Sequence, residues 1–219
     1  MKRLFLPVMA LLSVLASCYS VEDAADVNQE RIQTFYHTEF NATRETTQAT
    51  LSFRFGQTPL KVSNPIYFEA VKLREKKDII VGLHYSRKLD GLFEGEYEWT
   101  DETGQVYFNH VPIYGYNLLE PVTALKKYTY YKLSWEGDQL PKGNEDFVIT
   151  VESHVDGTIC SFNTGDLIEI HSDHLVNLPT GAARLAISRN YSETIDDRTP
   201  AGGESKVAFV REYEIEITE

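Results

Sequence analysis

The feature that most constrains this chain is side-chain alternation with a period of two. Ala49, Leu51, Phe53 and Phe55 share one parity, and Gln48, Thr50, Ser52 and Arg54 the other. Such a segment can bury one face only as a strand. The pattern returns at Phe93–Tyr97–Trp99, at Thr129–Tyr131–Leu133–Trp135, at Phe147–Ile149–Val151 and at Ala183–Leu185–Ile187. It closes with Val207, Phe209, Tyr213, Ile215 and Ile217, where Arg211 breaks the parity and predicts a bulge or a strand end. Asp101 to Gly104 supplies turn chemistry, so residues 93–113 read as a hairpin. Ile66 to Leu73 reads as one strand, and Asp78 to Tyr85 as a more central one. No helical pattern of 10–15 residues intervenes, which excludes βαβ units and predicts an all-β chain of antiparallel sandwiches. Residues 117–127 lose the alternation and contain Pro121, so the expected division is 30–118 and 119–219, two separable β-sandwich domains.

The N-terminus reads as an address. Met1-Lys2-Arg3 is basic, and Leu4 to Ala16 is apolar apart from Ser13. Such a run is too short to span a hydrocarbon core, which needs roughly 20 helical residues. It fits a secretory signal peptide over residues 1–17. Leu15-Ala16-Ser17-Cys18 resembles the lipobox of bacterial lipoproteins. The resemblance implies cleavage before Cys18, a diacylglyceryl group on its thiol and an acyl group (a palmitate, for example) on its amine. Residues 18–29 are then the lipidated Cys and an acidic tether. Tyr19 stands where an inner-membrane retention Asp is absent, and Glu22, Asp23 and Asp26 resemble the surface-export signals of Bacteroidota lipoproteins. The implied location is the cell envelope, with the protein lipid-anchored at the outer membrane.

Charge narrows the partners. Lys and Arg number 21 against 33 Asp and Glu, a net charge of −12. Cleavage after Ser17 removes Lys2 and Arg3, leaving 19 against 33 and a charge of −14. An acidic chain of this kind argues against nucleic acid. It also predicts repulsion from anionic headgroups, with attachment resting on the lipid alone. With Cys18 lipidated, Cys160 has no partner in the chain and is expected to pack as a small hydrophobe.

The segments Leu133-Ser134-Trp135-Glu136-Gly137, Phe147 to Val151 and Leu175-Val176-Asn177-Leu178-Pro179-Thr180-Gly181-Ala182 resemble immunoglobulin-like or fibronectin-like modules of bacterial surface lipoproteins. Tyr97 to Asn109 is similar to the closing hairpin of their first modules. The resemblance implies two tandem immunoglobulin-like sandwiches and no particular activity, since such modules host many functions.

Chemistry-bearing residues are few. His171-Ser172-Asp173-His174 is the densest cluster, and His171, Asp173 and His174 are weak candidates for a metal site. A polar turn is the simpler expectation. Glu94, Glu96 and Glu98 form one carboxylate row and Glu212, Glu214 and Glu216 another, both expected on wet strand faces. Asp101, Glu102, Asp138, Asp156, Asp166, Asp196 and Asp197 sit in loops, where turn chemistry is the expected role. No cofactor is called for, and Ca²⁺ is the one such loops would admit. Exposed Tyr128 and Tyr130 are suited to stacking on sugar rings or across a strand pair. No nucleotide-binding, metalloprotease or nucleophile-elbow motif occurs, so no catalytic residue is assigned. The expected function is a non-catalytic, membrane-anchored binding, adhesion or spacer lipoprotein with a protein or glycan ligand. An envelope hydrolase or accessory glycan-binding subunit, and a fimbrial subunit, are the alternatives.

Overall fold

The computed structural model describes residues 21–78, 82–140 and 145–219. Cys18, the Ile79–Val81 part of the expected 78–85 strand and the Pro141–Asn144 turn lie outside the described residues. The strands follow the chain as β1 (Glu22–Asp23), β2 (Gln33–Asn41), β3 (Thr46–Phe55), β4 (Thr58–Lys61), β5 (Tyr67–Phe68), β6 (Val71–Lys72), β7 (Arg74–Asp78), β8 (Gly82–Asp90), β9 (Gly95–Thr100) and β10 (Val106–Val111). They continue as β11 (Tyr116–Leu118), β12 (Ala124–Lys126), β13 (Tyr131–Leu133), β14 (Trp135–Gly137), β15 (Glu145–Ser153), β16 (Ile159–Asn163), β17 (Ile168–Ile170), β18 (Gly181–Glu193) and β19 (Gly203–Thr218). The chain is all-β, and its sheets are open rather than closed into a barrel.

One large sheet runs in the order β1-β4-β3-β2-β19-β18-β15-β16, with the β7–β8 hairpin attached through β3 and β12 through β19. Over its first half this sheet is faced by the β10-β9-β5-β6 sheet. Tyr97 and Trp99 from β9 meet Tyr36 of β2 and Phe53 of β3 at ring separations of 5.1 and 4.9 Å. Over its second half two short sheets, β11-β14 and β13-β17, provide the covering layer. There Tyr116 and Trp135 close on Phe147 at 5.4 and 5.1 Å. The alternating residues Ala49, Leu51, Phe53, Ile149, Val151, Leu185 and Ile187 are all fully buried, as their parity requires.

Several details depart from the sequence expectation. The expected 66–73 strand is two short strands turned at Glu69-Ala70, which adopt φ of 50° and 58°. No glycine marks that turn; the Glu69 N–H donates to the Glu96 carbonyl, and tertiary pairing holds it. The expected 129–135 strand divides into β13 and β14, which pair with β17 and β11. The sheet is not wholly antiparallel, since β19 pairs in parallel with both β2 and β12, and β4 with β1. Arg211 causes neither bulge nor end: β18 and β19 stay in register from Gly181↔Ile217 to Glu193↔Ser205. Its guanidinium instead donates from Nε to the Tyr116 carbonyl at 2.9 Å.

Sheet pairing also crosses the expected division at 118/119. Residues 203–210 of β19 pair with 34–41 of β2, and Gly203 makes the entry point possible, because a Cβ there would lie 2.0 Å from the Thr34 carbonyl oxygen. The 117–127 span carries β11 and β12, and Leu125 is fully buried. The part of the acidic tether from residue 22 onward is docked rather than free. β1 pairs with Leu60–Lys61, Ala24 is buried, and Asp23 and Asn28 cap two 3₁₀ turns by accepting from the Ala25 and Glu30 N–H groups.

Buried tyrosine hydroxyls tie the layers together. Tyr36 accepts from Trp99 Nε1 at 3.0 Å and from Asn109, Tyr97 donates to the His37 carbonyl, and Tyr116 donates to the Ile187 carbonyl at 2.8 Å. Burial pushes the Tyr36 phenol up to about 12 and those of Tyr97, Tyr116 and Tyr191 higher still. Above pH 10 the unfolded chain releases these protons while the folded chain retains them. Stability is therefore intact below pH 10 and falls above it, by up to about 1.4 kcal/mol per pH unit for each such tyrosine. Denaturant titrations from pH 8 to 12 check this: a midpoint that does not move above pH 10 would contradict the buried network.

Candidate functional site

The sequence-predicted cluster lies at the β16 end of the large sheet. β13 and β17 pair through Tyr131↔Ile170, Lys132↔Glu169 and Leu133↔Ile168. Ile168 and Ile170 face the core, so Lys132 and Glu169 stand together on the outer face at 3.6 Å. His171 follows β17 and enters a turn pinned by the buried side chains of Leu175 and Leu178. In that turn the His171 N–H donates to His174 Nδ1 at 3.1 Å, and the His174 N–H donates to the His171 carbonyl.

The outcome is a run of rings. Tyr130 meets His171 at 5.5 Å, His171 meets His174 at 5.2 Å, and His174 packs on Phe162 of β16 at 3.7 Å. Tyr130 is half exposed and hydrogen-bonds to Glu169, which raises its phenol pKa. Burial holds the His174 imidazole below the ordinary histidine range, with His171 pushing the same way against Asp173. The strip thus combines apolar ring faces with a carboxylate, an ammonium and imidazole nitrogens, a combination suited to a ligand with both C–H faces and hydroxyls.

Metal chemistry has less support from this geometry. His174 Nδ1 is occupied as an acceptor, and among the described residues no group of three or more His, Cys, Asp or Glu is placed to hold a metal ion, so Asp173 does not converge with the two histidines. Cys160 lies beside the strip on β16, half-buried; its thiol donates to the His174 carbonyl at 3.0 Å, and burial raises its pKa. A thiol held protonated is a poor nucleophile.

The carboxylate rows sit in different sheets, Glu94–Glu98 at β9 and Glu212–Glu216 on β19. Glu212 is engaged by Asn41, Arg44 and Arg184. Of the loop acids, Asp101 and Asp156 make turn contacts, while Asp138 and Asp197 accept from segments distant in sequence. Asp101 Oδ1 accepts from the Thr103 and Gln105 N–H groups, Asp156 from the Thr158 N–H, Asp138 from the Gly115 N–H, and Asp197 from the Phe108 N–H.

Two features have no counterpart in the sequence reading. One is Arg189, fully buried where β18 passes β15. It donates to Glu145 at 2.6 Å and to the Gly115 and Asp138 carbonyls at 2.8 and 2.7 Å, and it stacks over Trp135. The other is an open groove of about 640 Å³ beside β4 and β7, rimmed by Lys61, Lys72, Arg74 and Arg87 over Ile66 and Leu73. Tyr85 forms part of its wall and clasps both the N–H and the carbonyl of Val62.

No protein-family model matches the chain, and no curated protein matches it in sequence. Among solved structures it is similar to the three N-terminal domains of the bacteriophage RB49 Highly Immunogenic Outer Capsid protein, at 10% identity and a TM-score of 0.30, over 85% of this chain and 70% of that one. It is also similar to Clostridium thermocellum CbhA fibronectin(III)-like modules, at 12% identity and a TM-score of 0.22, over 85% of this chain and 93% of that one.

Proposed function

We propose that the protein is a non-catalytic binding module of the cell envelope, held by a lipid on Cys18, that presents the Tyr130–His171–His174–Phe162 strip to a neutral glycan. The observation that carries this reading is the placement of the strip. It lies against β16, at the edge of the large sheet opposite β1 and β4. Six strand spacings separate β4 from β16, about 29 Å along the sheet at roughly 4.8 Å each. A chain anchored before β1 therefore displays its ring-lined edge away from the anchor. An uncharged ligand suits the strip, because the Lys132 ammonium there is balanced by the Glu169 carboxylate.

A glycan array probed with the mature chain tests the reading. Binding to neutral oligosaccharides is expected, weakened about tenfold by Tyr130→Ala, a loss of ~1.4 kcal/mol. Lys126→Glu, at an exposed position on β12, leaves it unchanged. Turnover of a hydrolase substrate panel that is abolished by His171→Ala or His174→Ala would contradict it, as would a complete absence of ligands on the array.

A further inference from the structure

We propose that β7, β8 and the adjoining β4 and β6 ends form a cationic surface that docks on anionic lipid headgroups and orients the anchored protein. The inference rests on the reading of Cys18 as the anchor. Averaged over the chain, charge predicts repulsion from such headgroups, yet the charge is not evenly spread. Residues 61–88 hold seven Lys or Arg against Glu69, Glu75 and Asp78, an excess of four positive charges in a chain of net −12.

These cations are left without partners where partners are plentiful. Elsewhere among the described residues Arg44, Lys127, Lys132, Arg184, Arg189 and Lys206 each pair with a glutamate, while Arg31, Arg54, Lys126, Arg198 and Arg211 stand without a carboxylate in ion-pair range. Within the basic segment Lys61 pairs with Glu75 at 3.4 Å. Among the described residues no carboxylate stands in ion-pair range of Lys72, Arg74, Lys76, Lys77, Arg87 or Lys88. Every Asp and Glu of the chain lies within the described residues, so the remainder of the sequence holds no acid to pair with them. All five residues of β7 are exposed. Lysines on an exposed edge strand also deter strand pairing between molecules. That purpose does not require Lys72 on β6 and Arg87 on β8 to rim the same groove as Lys61 and Arg74.

Position supplies the second observation. β1 pairs with Leu60–Lys61, and Val21, Glu22, Asp23, Lys61, Glu75 and Lys77 line one shallow cavity of about 330 Å³. The chain thus enters the fold beside the basic strand. Cys18 precedes Glu22 by four residues, a reach of at most ~14 Å when extended. A lipid on Cys18 brings this side of the molecule near the headgroups, where each Lys or Arg strengthens partition by roughly fivefold. Glu22, Asp23, Glu75 and Glu102 border the same surface and offset part of its charge, whereas the acids toward β16 lie beyond a Debye length of about 8 Å at physiological salt and oppose little.

Vesicle flotation tests the docking without the anchor. The mature chain carrying Cys18→Ser is mixed with phosphatidylcholine vesicles, with or without phosphatidylglycerol. The strands and core described above all lie beyond Cys18, so the unacylated chain retains its fold. At least tenfold preference for the anionic vesicles is expected, lost in high salt and lost in Lys72→Glu/Arg74→Glu/Lys76→Glu/Lys77→Glu. These four side chains are exposed, so that variant keeps its melting temperature, and Lys126→Glu, elsewhere on the surface, keeps its binding. Equal partition into both vesicle types, or binding retained by the quadruple variant, would overturn the proposal. So would full competition by millimolar inorganic phosphate, which would define a site for a free anion instead. Failure of flotation with an acylated wild-type Cys18 overturns the docking alone. Absence of acylation removes the anchor and leaves the flotation result to stand by itself.

Discussion

Arg189→Met lowers the unfolding free energy by about 3–5 kcal/mol, the usual cost of removing one partner from a buried ion pair. The guanidinium is completely buried and satisfies three acceptors at once: Glu145, Gly115 and Asp138. Its loss strands the Glu145 carboxylate, whose side chain is only 14% exposed, and takes a donor from the Gly115 and Asp138 carbonyls beside the covering strands β11 and β14. In a chain of this size the drop corresponds to roughly 6–20 °C in melting temperature. Arg189→Lys does not restore it, because an ammonium cannot present the planar fork that reaches Glu145 and both carbonyls. Arg189→Met/Glu145→Leu recovers much of the loss, since an apolar pair of similar volume carries no stranded charge. Thermal melts of the three variants check the set. A melting temperature for Arg189→Met within 2 °C of wild type would show that the node does not hold the covering layer.

Arg189 also shows where sequence reasoning stops. It continues the parity of Ala183, Leu185 and Ile187, so the strand itself predicts an inward side chain. Charge argues the opposite, and only the positions of Glu145, Gly115 and Asp138, 44 to 74 residues away, settle the conflict. Arg211 is the same case on the neighbouring strand, where a carbonyl of β11 and the Phe209 ring accept a residue that looked like an interruption. Strands with one dry face were legible because their signal is local. The Glu69-Ala70 turn was not, because its left-handed residues are held by pairing with β9 rather than by glycine.

The continuity of the large sheet was illegible for a related reason. Residues 203–210 and 34–41 carry ordinary strand patterns, and nothing local says that the last strand lies beside an early one. The loss of alternation at 117–127 reflects two short strands with different partners, β14 for one and β19 for the other. At the candidate site, the cluster at His171 and His174 was visible as a polar turn. Its ring contacts to Tyr130 and Phe162 required the β13–β17 pairing. The basic face was readable in principle from a running charge count over 61–88, and a chain-wide sum conceals it.

Membrane attachment through Cys18 is the claim on which the proposed function turns. Metabolic labelling with a clickable fatty acid, followed by membrane fractionation, tests it directly in wild type and in Cys18→Ala. The substitution removes the thiol that would accept the diacylglyceryl group, and one acyl chain alone gives only marginal binding. Wild type should carry label and remain with the membranes. Cys18→Ala should carry none and be lost from the firmly bound membrane fraction, even where the basic face still gives a salt-sensitive association. Equal labelling of both proteins, or an unlabelled wild type recovered entirely in the soluble fraction, would contradict the lipid-anchored module.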